Sequence, residues 1–170
     1  MNVYVETNFV LELALLQEQH QSCEAILRLC ESGEANLILP AYCLVEPYET
    51  LIRRQRERKR LGSSLSNEIT QLARTSCYAR QIDLSREVVG FLIRSSDGEI
   101  SKMTNVRTKF LEVAEIISLD HAVLEAAAQH QLNYDLVPQD AIVFASVLAH
   151  LSHNPGRSCF LNKNTKDFDD

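Results

Sequence analysis

The sequence predicts one α/β domain in which short buried strands alternate with helices and form a parallel sheet. The length of 170 residues suits a single hydrophobic core, and short apolar runs recur along the chain. The first two runs are separated by about 30 residues of helical pattern, which is typical of a parallel crossover unit. We therefore expect residues 1–170 to form a single domain, with its functional site at the carboxyl ends of the strands.

Apolar periodicity and turn residues divide the first half of the chain into predicted elements. These are, in order, a strand at residues 3–5, a helix from Thr7 through Leu16, a helix around residues 23–30, a strand at residues 37–39, and a helix from about Cys43 to Arg60. Thr7 is the expected N-cap of the first helix. Pro47 is tolerated because it falls within about the first turn of its helix, where its missing N–H has no helical partner.

The second half begins with a predicted helical insertion around residues 60–115. The expected elements are helices at 66–80, 84–95, 105–115, 121–131 and 138–150, a strand at 159–161, and a polar loop from 162 to 170. Gly62-Ser63-Ser64 and Ser95-Ser96-Asp97-Gly98 are expected to interrupt the helices. The apolar run 116–119 is too short to assign to helix or strand. The helix that begins at Pro138 is apolar on nearly every side, so it should be deeply buried.

The charge of the chain is unevenly distributed. Its net charge is −6, from 17 basic and 23 acidic residues, but the stretch 53–60 alone carries +5, which leaves −11 for the remainder. At 100° per residue, Arg53, Arg56 and Arg60 fall on the same helical stripe as Glu46. A concentrated basic surface of this kind binds phosphates locally, although an ordinary solvated surface has the same composition.

The composition also predicts a cellular compartment. The five cysteines are odd in number and contain no CxxC pair, which favours buried thiols in a reducing cytoplasm over disulfides or a zinc site. The N-terminal residues lack the charged and apolar regions of a signal peptide. No apolar run approaches the roughly 20 residues of a membrane span. We therefore expect a cytoplasmic protein without a membrane partner.

Four carboxylates follow predicted strands or begin helices that can face the same edge of the sheet. They are Glu6, Glu46, Asp140 and Asp167. Each has a simpler explanation: Glu6 suits a solvated turn, Glu46 and Asp140 suit helix N-termini, and Asp167 suits a solvated tail. Taken together, converging carboxylates repel one another unless a cation neutralises them. Hard oxygen ligands select Mg²⁺ or Mn²⁺, and these ions activate water for attack on phosphorus.

Four segments of the chain resemble, in order, the motifs of PIN domains. They are Val-Tyr-Val-Glu-Thr-Asn-Phe-Val at 3–10, Leu39-Pro40 followed by Glu46, Gln-Asp-Ala-Ile-Val-Phe-Ala at 139–145, and Phe-Leu-Asn-Lys-Asn-Thr-Lys-Asp-Phe at 160–168. The resemblance implies a Rossmann-like parallel sheet of short strands flanked by helices. It also implies a metal-dependent ribonuclease, commonly the VapC-type toxin of a toxin–antitoxin pair. The implied partners are RNA, an antitoxin protein and a second copy of the chain.

The resemblance assigns a role to each motif residue. Glu6, Glu46, Asp140 and Asp167 are the expected catalytic acids, and the same four with Asn164 are the candidate Mg²⁺ or Mn²⁺ ligands. Thr7 and Asn8 would support Glu6. Apart from the resemblance, the position of Arg53, Arg56 and Arg60 on the Glu46 stripe makes them the candidate RNA contacts. The expected activity is endonucleolytic hydrolysis of RNA that leaves a 5′-phosphate and a 3′-hydroxyl.

The sequence departs from the family pattern in three places. Glu6 stands where aspartate is usual, and Asn164 occupies a place where an acid often stands. The chain also ends soon after the fourth motif, so a last C-terminal element is expected to be missing or reduced. The first two departures leave open an alternative function, in which a catalytically silent PIN fold serves as an RNA-binding or protein-interaction module.

Overall fold

The structure is a computed structural model that describes residues 1–163, apart from the side chains of residues 79 and 80. Four strands and six α-helices make up the described part of the chain. In order they are β1 (Asn2–Val5), α1 (Thr7–Leu15), α2 (His20–Glu31), β2 (Asn36–Pro40), α3 (Tyr42–Leu72), a short 3₁₀ turn (Ser76–Tyr78), α4 (Ala79–Val113), β3 (Glu115–Ile117), α5 (His121–Tyr134), α6 (Pro138–His153) and β4 (Ser158–Leu161).

The strands form one parallel sheet in the order β3-β2-β1-β4. Tyr4 of β1 is level with Ile38 of β2 on one side and with Phe160 of β4 on the other. The chain adds β2 and β3 on one side of β1 and then crosses to add β4 on the opposite side. The α/β prediction is confirmed, and the order of the strands reverses between β1 and β4.

Both faces of the central strands are buried, as a parallel sheet requires. Tyr4 and Ile38 pack against Val147 of α6 on one face. Because side chains alternate along a strand, Val3, Val5, Leu37 and Leu39 point to the other face, and none is more than 3% exposed. This double burial explains why the strands contain little but apolar residues.

The chain divides into two compact units, one comprising Met1–Pro47 with Met103–Asp170 and the other Tyr48–Lys102. The first contains the sheet. The second is an antiparallel pair of helices, formed by parts of α3 and α4, whose small core joins Ile69, Ile82 and Val89. Arg58 makes a bidentate ion pair with Glu99 in this unit, with N–O distances of 2.9 Å.

The predicted helix breaks at Gly62-Ser63-Ser64 and Ser95-Ser96-Asp97-Gly98 were wrong. α3 continues through the first segment and α4 through the second. A Cβ built on Gly62 would lie 3.5 Å from Ile93, so Gly62 stands at a close approach of the two helices. Packing between helices overrides the roughly 1 kcal/mol that a glycine costs inside a helix.

Smaller differences concern burial and helix boundaries. Residues 141–147 of α6 are all buried or half-buried, as predicted, although Leu148 is 40% exposed. The ambiguous run at 116–119 contributes to β3, an edge strand. Pro47 is the sixth residue of α3, beyond the first turn. Cys77 is exposed, in contrast to the predicted buried thiols. No helix in the described residues is long and apolar enough to cross a membrane.

Candidate functional site

A pocket of about 220 Å³ opens at the carboxyl ends of β1 and β4. Its lining includes Glu6 after β1, Glu12 on α1, and Leu161 to Lys163 at the end of β4. The pocket therefore lies where the strand order reverses. In parallel α/β sheets this reversal separates the crossover connections and leaves a crevice, which is where such folds bind their ligands.

Glu6 is the N-cap of α1, and the prediction that Thr7 has this role was wrong. Its Oε2 accepts hydrogen bonds from the Asn8 backbone N–H at 3.1 Å and from the Asn8 amide at 3.3 Å. Its Oε1 accepts one from the backbone N–H of Lys163 at 3.3 Å. Glu6 is half-buried and held from two sides, since Lys163 follows β4 on the neighbouring strand.

Thr7 has a different role from capping. It is 9% exposed, and its hydroxyl donates a short hydrogen bond to Oε2 of Glu46, the fifth residue of α3. Glu46 is half-buried. Side chains from the segments that follow β1 and β2 are thus in direct contact.

Cys43 is fully buried beside this group. Burial, together with the nearby carboxylates of Glu46 and Glu6, raises the pKa of the Cys43 thiol to about 12, although a hydrogen bond with Thr7 acts in the opposite direction. At neutral pH the group is therefore a thiol and not a nucleophile.

Glu12 and Lys163 form an ion pair that we did not predict from the sequence. Glu12 lies on α1, is 3% exposed, and accepts hydrogen bonds from Lys163 Nζ at 2.6 Å and from the Gln19 backbone N–H at 2.8 Å. Burial alone raises the pKa of Glu12, but the contacts with Lys163 and Gln19 outweigh it and the pKa is lowered. The sequence signal was a lone acid within the apolar run of α1.

Asp140 is the third residue of α6 and is half-buried. Near the other end of α6, His150 contacts Glu115, the first residue of β3, at 3.0 Å, and Tyr4 at 2.8 Å. Only residues 154–157 separate the end of α6 from Ser158, which begins β4 and is level with Asn2 at the start of β1, so the C-terminal end of α6 lies toward the amino edge of the sheet. Its first turn, with Asp140, points toward the carboxyl edge, the side on which Glu6 and Glu46 follow their strands.

The described residues supply part of a metal-binding set. Among residues 1–163, no three histidine, cysteine, aspartate or glutamate side chains stand close enough to hold a metal ion. Glu6 and Glu46 nonetheless offer carboxylate oxygens of the kind that Mg²⁺ and Mn²⁺ prefer. Asn164 and Asp167, the predicted ligands of the last motif, lie outside the described residues. The assignment of Glu6, Glu46 and Asp140 as ligands stays a prediction.

The basic stretch of α3 contains two kinds of arginine. Arg58 is three-quarters buried in its ion pair with Glu99 and also donates to Ser95 at 3.2 Å. Arg53, Arg56 and Arg60 are exposed, and none of them forms an ion pair within the described part of the chain. The three arginines on the predicted stripe are therefore available to a polyanion, whereas Arg58 is structural.

Comparison with known proteins identifies the family. A family model described as PIN domain matches residues 3–168. Searches of curated proteins and of solved structures gave no match. PIN domains are generally nucleases. The matched region covers almost the whole sequence and includes all four strands of the parallel sheet, and the chain therefore belongs to the PIN domain family.

Proposed function

We propose that this chain is a metal-dependent endoribonuclease that hydrolyses RNA phosphodiester bonds. The observation that carries the proposal is the position of Glu6 and Glu46 at the carboxyl edge of the sheet, where Thr7, the residue after Glu6, donates a hydrogen bond to Glu46. Two carboxylates held together in this way need a positive partner, because like charges in a partly buried site repel each other. Membership in a family of nucleases supports a divalent cation as that partner.

In this proposal Glu6, Glu46 and Asp140 would bind Mg²⁺ or Mn²⁺ after their side chains move closer together than they stand in the structure, and Asn164 or Asp167 would complete the site. The ion supplies an activated water and stabilises the leaving oxygen. The protein supplies orientation: Thr7 fixes one oxygen of Glu46, while Asn8 and the Lys163 N–H fix the two oxygens of Glu6. Hydrolysis would leave a 5′-phosphate and a 3′-hydroxyl.

RNA would be held by the exposed arginines of α3. The unit Tyr48–Lys102 contains 11 basic and 7 acidic residues, a net charge of +4, so the rest of the chain carries −10. This unit is therefore expected to attract the phosphate backbone more strongly than the acidic remainder does. Arg53, Arg56 and Arg60 are the proposed phosphate contacts.

The double variant Arg53→Ala with Arg56→Ala tests these contacts. We expect weaker RNA binding and a flatter salt dependence, because each lost phosphate contact reduces the slope of log affinity against log salt by about 0.7 for single strands. Binding should be measured at four or five salt concentrations. Arg28→Ala is the control, since Arg28 is also exposed but belongs to the acidic unit. Equal slopes for all three proteins would contradict the assignment.

We further propose that the enzyme is a VapC-type toxin that acts in the cytoplasm. Such a toxin requires an antitoxin protein as partner, and a homodimer is the assembly we expect. A short neighbouring reading frame that encodes a DNA-binding protein, and that suppresses toxicity when co-expressed, would support this role. Growth that is unaffected by expression of the chain alone would count against it.

A silent binding module is the second candidate, favoured by the presence of Glu6 instead of aspartate. Glu6→Asp separates the two functions. Aspartate is a good N-cap and can still accept from the Asn8 N–H, so the fold should be retained. The shorter side chain would withdraw its oxygens from their present positions, and displacements of about 1 Å cost up to roughly a hundredfold in rate.

For a working enzyme we therefore expect Glu6→Asp to lower single-turnover RNA cleavage by about ten- to a hundredfold. Both proteins should be assayed with Mn²⁺, which has less strict geometric demands than Mg²⁺, and melting temperatures should be compared. A wild-type protein without activity that gains cleavage on Glu6→Asp would instead identify a decayed nuclease.

A further inference from the structure

The ion pair between Glu12 and Lys163 has no part in the proposed chemistry, yet it is the most buried charge described in the structure. Glu12 is 3% exposed and lines the pocket next to Glu6. Burying a carboxylate costs several kcal/mol unless a cation and hydrogen bonds compensate. Lys163 and the Gln19 N–H provide that compensation.

Stability alone does not explain why an acid stands at this position. The neighbours of Glu12 on α1, Leu11 and Ala14, are buried apolar residues. An apolar residue in place of a buried ion pair is often neutral or stabilising. A buried pair does, however, fix two segments in one arrangement more specifically than apolar packing does. The segments fixed here are the helix that Glu6 caps and the end of β4.

The same lysine also contacts Glu6 through its backbone. The side chain of Lys163 reaches Glu12 at 2.6 Å, while its N–H donates to Oε1 of Glu6 at 3.3 Å. The ion pair therefore holds in place the residue whose N–H orients the first acid of the site. Glu12 lies six residues after Glu6 in the sequence. The chain of contacts between them runs through Lys163, at the end of the neighbouring strand β4, and not along α1.

We propose that Glu12 and Lys163 are positioning residues, and that their ion pair sets the orientation of the Glu6 carboxylate. This inference rests on the proposed function for its effect on catalysis. Its geometric part, the hydrogen bond from the Lys163 N–H to Glu6, can be measured whether or not the chain cleaves RNA.

The chain provides a matched control for this test. Lys163 also lies 3.6 Å from Glu18, which is 86% exposed. Glu12→Gln and Glu18→Gln each remove one negative charge from the same lysine, but only the first removes the buried contact. Exposed pairs contribute little, so Glu18→Gln should behave as wild type.

The experiment measures two quantities on the full chain: hydrogen exchange of the amide at position 163, and kcat and KM for RNA cleavage. In Glu12→Gln we expect roughly tenfold faster exchange of this amide and roughly tenfold lower kcat, with KM nearly unchanged. The reason is the loss of about one hydrogen bond, the one from the Lys163 N–H that orients the Glu6 carboxylate. Lys163→Met should have the same effects. Lys163→Arg should restore most of the loss, since it keeps the cation.

Unchanged exchange at position 163 in Glu12→Gln would overturn the proposal, as would equal losses of kcat in Glu12→Gln and Glu18→Gln. If Glu12→Gln does not fold, the double variant Glu12→Met with Lys163→Met decides the question, because it removes the ion pair without leaving a buried charge unpaired. A wild-type chain that cleaves no RNA would contradict the proposed function alone, and the exchange data would still test the positioning role.

Discussion

Chelation with EDTA is expected to reduce RNA cleavage to the uncatalysed background, and added Mg²⁺ or Mn²⁺ is expected to restore it. The physical reason is the absence of any other activated nucleophile among the described residues at the site. Cys43 is fully buried with a pKa raised to about 12, and Thr7 is 9% exposed and does not line the pocket. Water activated by a divalent ion is then the remaining source of attack on phosphorus.

The measurement is single-turnover cleavage of a structured RNA, labelled at one end, before and after addition of EDTA. Zn²⁺ and Ca²⁺ serve as further additions, because carboxylate sites for phosphoryl transfer favour the strict octahedral geometry of Mg²⁺. Melting temperatures in EDTA show whether the fold persists without the ion. Cleavage that continues undiminished in EDTA would contradict the mechanism.

The main features of the fold could be predicted because three of the four parallel strands have a clear sequence signal. The runs at 3–5, 37–39 and 159–161 are short, apolar and followed by polar residues, and all three are strands. Such strands are buried on both faces, so they contain few polar residues. The position of Glu6 directly after the first strand was enough to place it at the carboxyl edge.

The continuity of the long helices could not be predicted in the same way. Gly62 and Ser95-Ser96-Asp97-Gly98 are local signals for helix ends, and no local signal shows that α3 and α4 pack together there. Gly62 faces Ile93 of the other helix, where a Cβ would make an ordinary contact at 3.5 Å. The hydroxyls of Ser95 and Ser96 both accept hydrogen bonds from Arg58, so the polar residues of the second segment join α4 to α3.

The site itself was predicted only in part, because its contacts join residues that are distant in sequence. Thr7 and Glu46 are 39 positions apart, and Glu12 and Lys163 are 151 apart. The carboxylates could be found from their positions after strands. The hydroxyl, the backbone N–H and the lysine that orient them depend on strand order, which single residues do not reveal.

Asp140 provides the sharpest test of the three proposed ligands, because it also has a good structural explanation. It is the third residue of α6, and the N-cap Val137 has no side chain that could cap the helix. An acid in the first turn stabilises a helix by about 0.3–1 kcal/mol. If this were its whole role, loss of the charge would lower the melting temperature slightly and leave cleavage by the folded protein intact.

We expect the opposite for Asp140→Asn: single-turnover cleavage should fall about a thousandfold, a loss typical of removing one essential electrostatic group. The melting temperature should be unchanged or higher, because the substitution conserves volume and relieves repulsion between carboxylates. Asp120→Ala is the matched control, since Asp120 is an observed N-cap that accepts from the Val123 N–H at 2.9 Å. It should cost about 1 kcal/mol of stability and leave the cleavage rate of the folded protein unchanged. A stability loss in Asp140→Asn without a loss of cleavage would show that Asp140 only stabilises the start of α6.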